Sequence, residues 1–329
     1  MKRRNNVLLS VHEEQSAAED QPVKEIAFDQ ALQAFLLHKR ALNLSPRTIE
    51  FYKEALKHFG KTFLEQNIAM DLPHMTARQI KDHYVGYMLE HGLASNTINN
   101  RIRACKTFFR FLHEERMVYK PIFDQLQLIK AEKKMIQTLT KEQVLSLLQQ
   151  PNRKTFTGFR DYTIMLLLFE TGIRISECLA LEVNDVFLKE RELIIRMGKG
   201  RKSRRVPIQK TCVRILEQYM AERGNVDTKA LFINVEDEGI RKRTIQENIQ
   251  EYGKAAGIEG VRVSPHTFRH TMAKFYILNG GDIFTLQRIL GHSTLDMVRH
   301  YVELFSTDIQ DQHRKYSPVE NMNLGKQSR

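Results

Sequence analysis

Tryptophan is absent from this chain of 329 residues, cysteine occurs three times and proline eight times. Cys105, Cys178 and Cys212 are scattered and odd in number, which excludes a disulfide scaffold and the close cysteine pairs of a zinc site. They fit a reducing cytoplasm. Long apolar runs are missing too: Ile164 to Phe169 is a run of six, far short of the ~20 residues of a membrane helix. The N-terminus starts basic, Met1-Lys-Arg-Arg, as secretion signals do, but Val7-Leu-Leu9 is its whole apolar stretch and charged residues soon follow. A soluble cytoplasmic protein, with no membrane partner, is expected.

Acidic residues are in deficit. Lys and Arg number 51 against 39 Asp and Glu, a formal charge of +12 whose long-range field attracts polyanions. Nucleic acid is the first partner to consider and an anionic membrane surface the second. With 42% hydrophobic residues the chain can build the cores of two ordinary domains.

Residues 1–24 are polar and charged without sustained periodicity, which predicts a flexible tail. Residues 25–117 follow a helical period. Phe28, Leu32, Phe35 and Leu36 share a face, Ser45-Pro46 reads as an N-cap with proline at N1, Thr76-x-x-Gln79 as a capping box, and Ser95 or Asn96 as the cap of a fourth helix. On that fourth helix Asn99, Arg103 and Lys106 fall on one face, either a plain solvated face or a DNA-contacting one. Residues 118–138, with Pro121 and the lysine-rich Lys130-Ala-Glu-Lys-Lys134, read as a linker.

A second domain, 139–305, opens with the capping box Thr140-x-x-Gln143 and a strongly apolar helix over 159–170. The period then shortens: Val186-Phe-Leu188, Leu193-Ile-Ile195 and Arg205-Val-Pro-Ile208 read as three short strands, and helical patterning returns from Val213 onward. The predicted fold is mainly α with a small antiparallel β-sheet.

Four segments of this domain carry groups suited to anionic oxygen chemistry. Arg174 follows Gly172, a helix stop, and is placed either to clamp a phosphate in two-pronged fashion or to pair with Glu177 at i+3. Arg196 to Arg205 holds six basic and no acidic side chains. Gly198 and Gly200 make a hairpin tip in which Lys199 can reach outward and Arg201, Lys202 and Arg204 can meet DNA. Ser264-Pro265 caps a helix that sets His266 and Arg269 on one face; a zinc site there would need a third ligand, and His270 lies one residue off that face. His292 follows Leu290-Gly291, and Ser293-x-x-Asp296 opens a short amphipathic helix carrying Tyr301, whose ring would otherwise be core filler.

Arginines, histidines, a mobile lysine and a phenol without an acidic metal cluster suit phosphoryl transfer that needs no metal. The phenol oxygen attacks phosphorus, cationic donors neutralise the equatorial oxygens, and an acid protonates the leaving sugar oxygen.

In these motifs the chain resembles the tyrosine recombinase, or phage integrase, family, from about residue 26 to 305. The resemblance implies an N-terminal SAM-like core-binding domain and a mixed α/β catalytic domain forming a C-shaped clamp on double-stranded DNA, with no cofactor and no metal. It assigns Tyr301 as the nucleophile of a 3′-phosphotyrosyl intermediate, Arg174 and Arg269 as phosphate holders and Lys199 as the general acid. His266 would assist proton transfer, His292 would stabilise the phosphate, and Glu177 would orient the basic site. It also implies a homo- or hetero-tetramer on synapsed sites, with residues 306–329 docking on a neighbouring protomer. Met297-Val-Arg-His300 departs from the Thr-rich stretch common in Xer-type members, which points toward a mobile-element integrase or resolvase. The competing functions are relaxation of DNA in the manner of a type IB topoisomerase and a DNA-binding architectural or regulatory protein without turnover.

Overall fold

In a computed structural model of the protein, residues 26–131, 136–196, 203–291 and His313 are described. Among these no helix is long and apolar enough to cross a membrane. The chain divides into two compact units, Met1–Lys134 and Met135–Arg329.

The first unit is helical. α1 spans Phe28–Ala41 and α2 Pro46–Glu65, where the Ser45 hydroxyl accepts from the Thr48 N–H and proline occupies the first turn, as the sequence predicts. α3 runs in three pieces, Ala77–Gln79, a π-helical Ile80–Val85 and Gly86–Glu90, started by the reciprocal Thr76–Gln79 capping box. α4 is Ser95–Glu114, and here the expected cap is displaced by one residue: Ala94 is the N-cap and no side chain caps the helix. The core is aromatic. Phe35 meets Phe108 edge to face at 5.3 Å and Phe59 meets Tyr84 at 4.9 Å, a geometry that sets the positive rim of one ring on the negative face of the other. Val118, Ile122 and Leu126 are also buried in this core, so the stretch expected to be a linker is packed in its first part. Ile122 opens a single 3-10 turn, Ile122–Asp124, directly after Pro121.

The second unit starts with α5, Lys141–Leu148, behind the predicted Thr140–Gln143 capping box, and α6, Phe156–Thr171. α6 is apolar nearly all round and lies in the middle of the core, where a helix of that composition belongs. Short α7, Ile175–Cys178, precedes β1 (Val186–Phe187), β2 (Glu192–Ile195) and β3 (Arg204–Pro207), an antiparallel sheet in that order. Leu193 pairs with Val206 and Ile195 with Arg204. Leu193, Ile195 and Val206 are buried, so one face of the sheet lies on the core. α8 (Lys210–Arg223), α9 (Lys242–Ala255), α10 (Pro265–Leu278) and α11 (Ile283–Leu290) complete the described part. α6 is joined to α9 by a buried polar knot: Asp161 accepts from Arg160 at 2.7 and 2.9 Å, from Asn248 at 2.7 Å and from the Tyr252 hydroxyl at 3.0 Å. Both charges are thereby satisfied away from water, which is the condition for burying them at all.

Candidate active site

Three helix ends of the second unit meet around Arg174. α6 ends on Gly172, whose φ of +60° places it in the left-handed region. A Cβ there would also lie 2.7 Å from Leu290 Cδ2 and 3.2 Å from Met272 Sδ, so only glycine fits. The sharp stop turns the chain so that Arg174 becomes the N-cap of α7. Its backbone N–H donates to Glu177 Oε2 at 2.9 Å and its Nη1 to Oε1 at 2.9 Å. The ion pair considered from sequence is therefore present, but it takes only one edge of the guanidinium. The side chain keeps 35% exposure, leaving donors that a phosphate can reach.

Arg269 points inward from α10. Nη1 donates to the Gly172 carbonyl at 2.6 Å and Nη2 to the Leu290 carbonyl at 2.9 Å, so its guanidinium ties the last residues of α6 and α11 together. Carbonyls at helix C-termini carry the negative end of the dipole, which makes them suitable partners for a buried cation. His266, one turn earlier on α10 behind the Ser264 cap and Pro265, is exposed on the same side of the site. Its pKa is lowered by partial desolvation and by the positive charges of Lys242, Arg269 and Arg174. His270 is pushed down to about 4 by burial, with His266 and Arg269 adding to the effect. Both rings are neutral at pH 7, and a neutral imidazole can accept a proton.

Glu177 is the counterion that lets two arginines share this corner. Burial alone would raise its carboxyl, but hydrogen bonds from Arg204 and from Arg174 hold it down at about 2.

The structure thus brings Arg174, Glu177, His266 and Arg269 together, and adds Lys242, the first residue of α9, which sequence reasoning did not single out. Lys199, Arg201, Lys202, His292 and Tyr301 lie outside the described residues. Two expectations are corrected. Arg204, expected to contact DNA from the basic hairpin, instead turns inward: it donates to Glu177 at 2.8 and 3.2 Å and, through Nε, to the Ile289 carbonyl at 3.0 Å, and its side chain is only 12% exposed. The strand's alternation carried the signal, because Arg204 has the parity of buried Val206 while Arg205 faces solvent. Asn99, expected on a DNA-contacting face, is buried, its side-chain amide donating to the Ile129 carbonyl and its oxygen accepting the Ile129 N–H, both at 2.9 Å. Arg103 is exposed and Lys106 half-buried, so those two still border solvent on α4.

Residues 137–307 match the phage integrase family, and residues 32–116 match the phage integrase N-terminal SAM-like domain. The tyrosine recombinase XerD of Staphylococcus epidermidis is 30% identical over 280 residues, which cover 84% of this chain and 94% of that protein. The tyrosine recombinase XerC of Chlamydia caviae is 31% identical over 239 residues, 71% of this chain and 76% of its own. Among solved structures, the Tn1549 transposon integrase in complex with a circular intermediate DNA superposes with a TM-score of 0.72 at 19% identity, over 91% of this chain and 100% of that one. The XerH site-specific recombinase bound to a palindromic difH substrate superposes with 0.69 at 21% identity, over 90% of this chain and 86% of its own. At these identities the two superpositions establish a common fold.

Proposed function

The chain belongs to the phage integrase family, and on that premise we propose that it is a tyrosine recombinase performing site-specific recombination of double-stranded DNA. Tyr301 is the nucleophile: its phenol oxygen forms a bond to the scissile phosphorus, the bond from phosphorus to the 5′ oxygen breaks, and Lys199 delivers the proton that oxygen needs. The resulting 3′-phosphotyrosyl ester keeps the energy of the broken bond, so attack by another strand's 5′-hydroxyl reseals DNA without ATP. Arg174 and Arg269 offset the charge growing on the equatorial oxygens, His292 adds a donor, and His266, neutral at pH 7, takes part in moving the tyrosine's proton.

The observation that carries this reading is the convergence on His266 of the positive charges of Lys242, Arg269 and Arg174, beside a Glu177 that leaves Arg174 half unengaged. Such a cluster of cations around a neutral base is costly unless an anion completes it. The first unit, through Arg103 and Lys106, and the hairpin residues Arg201 and Lys202 supply sequence-independent phosphate contacts. The active assembly is a tetramer on two synapsed sites, built from this chain alone or with a related one, with residues 306–329 docking on a neighbour. The physiological reaction is that of a mobile-element integrase or resolvase.

A nicked suicide duplex tests this, carrying the site that the protein selects from a random-sequence DNA pool. The wild-type chain is expected to accumulate a covalent adduct that resists denaturant, and Tyr301→Phe to form none while binding the duplex normally. An adduct that survives Tyr301→Phe would rule the mechanism out.

A further inference from the structure

Each guanidinium nitrogen of Arg204 donates within the protein, and the side chain is nearly withdrawn from solvent. Its fork closes on Glu177, Nη2 on Oε2 at 2.8 Å and Nη1 on Oε1 at 3.2 Å, while Nε reaches back to the Ile289 carbonyl at 3.0 Å. Gly291 is moulded to it: a Cβ at that position would stand 2.8 Å from Arg204 Cζ. One guanidinium thus joins β3, α7 and the end of α11, elements that each border the Arg174 corner.

What this does to Arg174 follows from the stoichiometry of Glu177. Oε1 is shared between Arg174 Nη1 and Arg204 Nη1, and Oε2 between the Arg174 backbone N–H and Arg204 Nη2. A carboxylate left with a single arginine prefers to grip it two-pronged, the strongest geometry open to the pair. Without Arg204, Glu177 would close on Arg174 in that way and occupy the donors meant for phosphate.

We infer that Arg204 is a positioning residue for strand cleavage, which holds Glu177 away from a two-pronged grip on Arg174 and so keeps the Arg174 guanidinium available to the scissile phosphate. The inference rests on the recombinase reading above and extends it by one residue that does not itself touch DNA.

The test uses the full-length chain and two versions of the nicked suicide duplex. One has an ordinary scissile phosphate; the other has a methylphosphonate, in which a neutral methyl group replaces one charged oxygen and removes the need for a cationic clamp. Arg204→Gln is expected to slow adduct formation about 100-fold on the phosphate, as loss of one transition-state donor does, and less than about 3-fold on the methylphosphonate, with DNA affinity unchanged within about 2-fold. Adding Glu177→Gln, which removes the competing grip, should restore at least about 10-fold of that loss. Arg204→Lys keeps one donor without the fork and should fall between wild type and Arg204→Gln. This milder change keeps the idea testable if the glutamine variant does not fold. Equal losses on both duplexes, or no recovery in the double variant, would overturn the role of Arg204 alone. Absence of any adduct from the wild-type chain would overturn the recombinase reading and this inference together.

Discussion

Glu177 shows how one carboxylate can set the electrostatics of a basic corner. Its pKa of about 2 lies below the ordinary value because Arg204 and Arg174 bond the ionised form more strongly than burial opposes it. A group with a depressed pKa stabilises the fold above its unfolded pKa and loses that contribution as pH falls toward the folded value. For Glu177 the shift corresponds to roughly 3 kcal/mol at neutral pH, disappearing between about pH 4.5 and 2. Denaturant titrations of wild type and Glu177→Gln should therefore show a stability gap that narrows over that interval; a gap constant with pH would mean that the carboxylate is not held in this way. His266 is shifted for the opposite chemical reason, with the surrounding cations disfavouring its protonated form after partial desolvation. If its neutral form is the active one, the cleavage rate falls at a pH below the usual histidine range. Lys242→Met removes one of the cations, so the acid limb of the rate profile should move to higher pH. A limb that stays in place would show that a different group titrates there.

Elements differ in how openly their sequences declare them. Ser45-Pro46, Thr76–Gln79, Thr140–Gln143 and Ser264-Pro265 all start helices as read, because a cap is a contract between residues three apart. The strands were legible in their β-branched and aliphatic runs, and Gly172 in its place after an apolar helix. The π-helical turn at Ile80–Val85 was not, since nothing in Ile-Lys-Asp-His-Tyr-Val distinguishes a wide turn from an ordinary one. Nor was the burial of Asn99, whose partner Ile129 is thirty residues away, or the inward turn of Arg204, whose partner Glu177 lies twenty-seven away. A polar side chain with a distant partner looks, in sequence, like a solvated one. α4 allows the two kinds to be separated by experiment. Asn99→Ala removes both hydrogen bonds to the half-buried Ile129 backbone and should cost about 1–3 kcal/mol in thermal or denaturant unfolding. Arg103→Ala with Lys106→Ala should leave unfolding within about 0.5 kcal/mol of wild type and weaken DNA binding instead. A stability loss from the double variant equal to that from Asn99→Ala would dissolve the distinction.

The whole molecule consists of two units with separate hydrophobic cores, one knit by phenylalanines and the other by aliphatic residues around α6. Units with their own cores can fold alone, so the pieces 1–134 and 135–329 should each give a cooperative unfolding transition when expressed separately. The resemblance that assigns both units to DNA then makes a claim about charge that neither core reveals. Each phosphate neutralised by Lys or Arg releases condensed counterions, and the logarithm of affinity falls against the logarithm of salt by about 0.9 per contact on duplex DNA. If both units touch the same duplex, the full chain must show a steeper slope than either piece, close to the sum of the two. Fluorescence anisotropy with one labelled duplex at rising salt measures all three slopes. A full-chain slope equal to that of 135–329 alone would place every phosphate contact on the catalytic unit. Arg103 and Lys106 would then have to be given up as DNA contacts, and the chain's net charge of +12 would act on the duplex through the second unit.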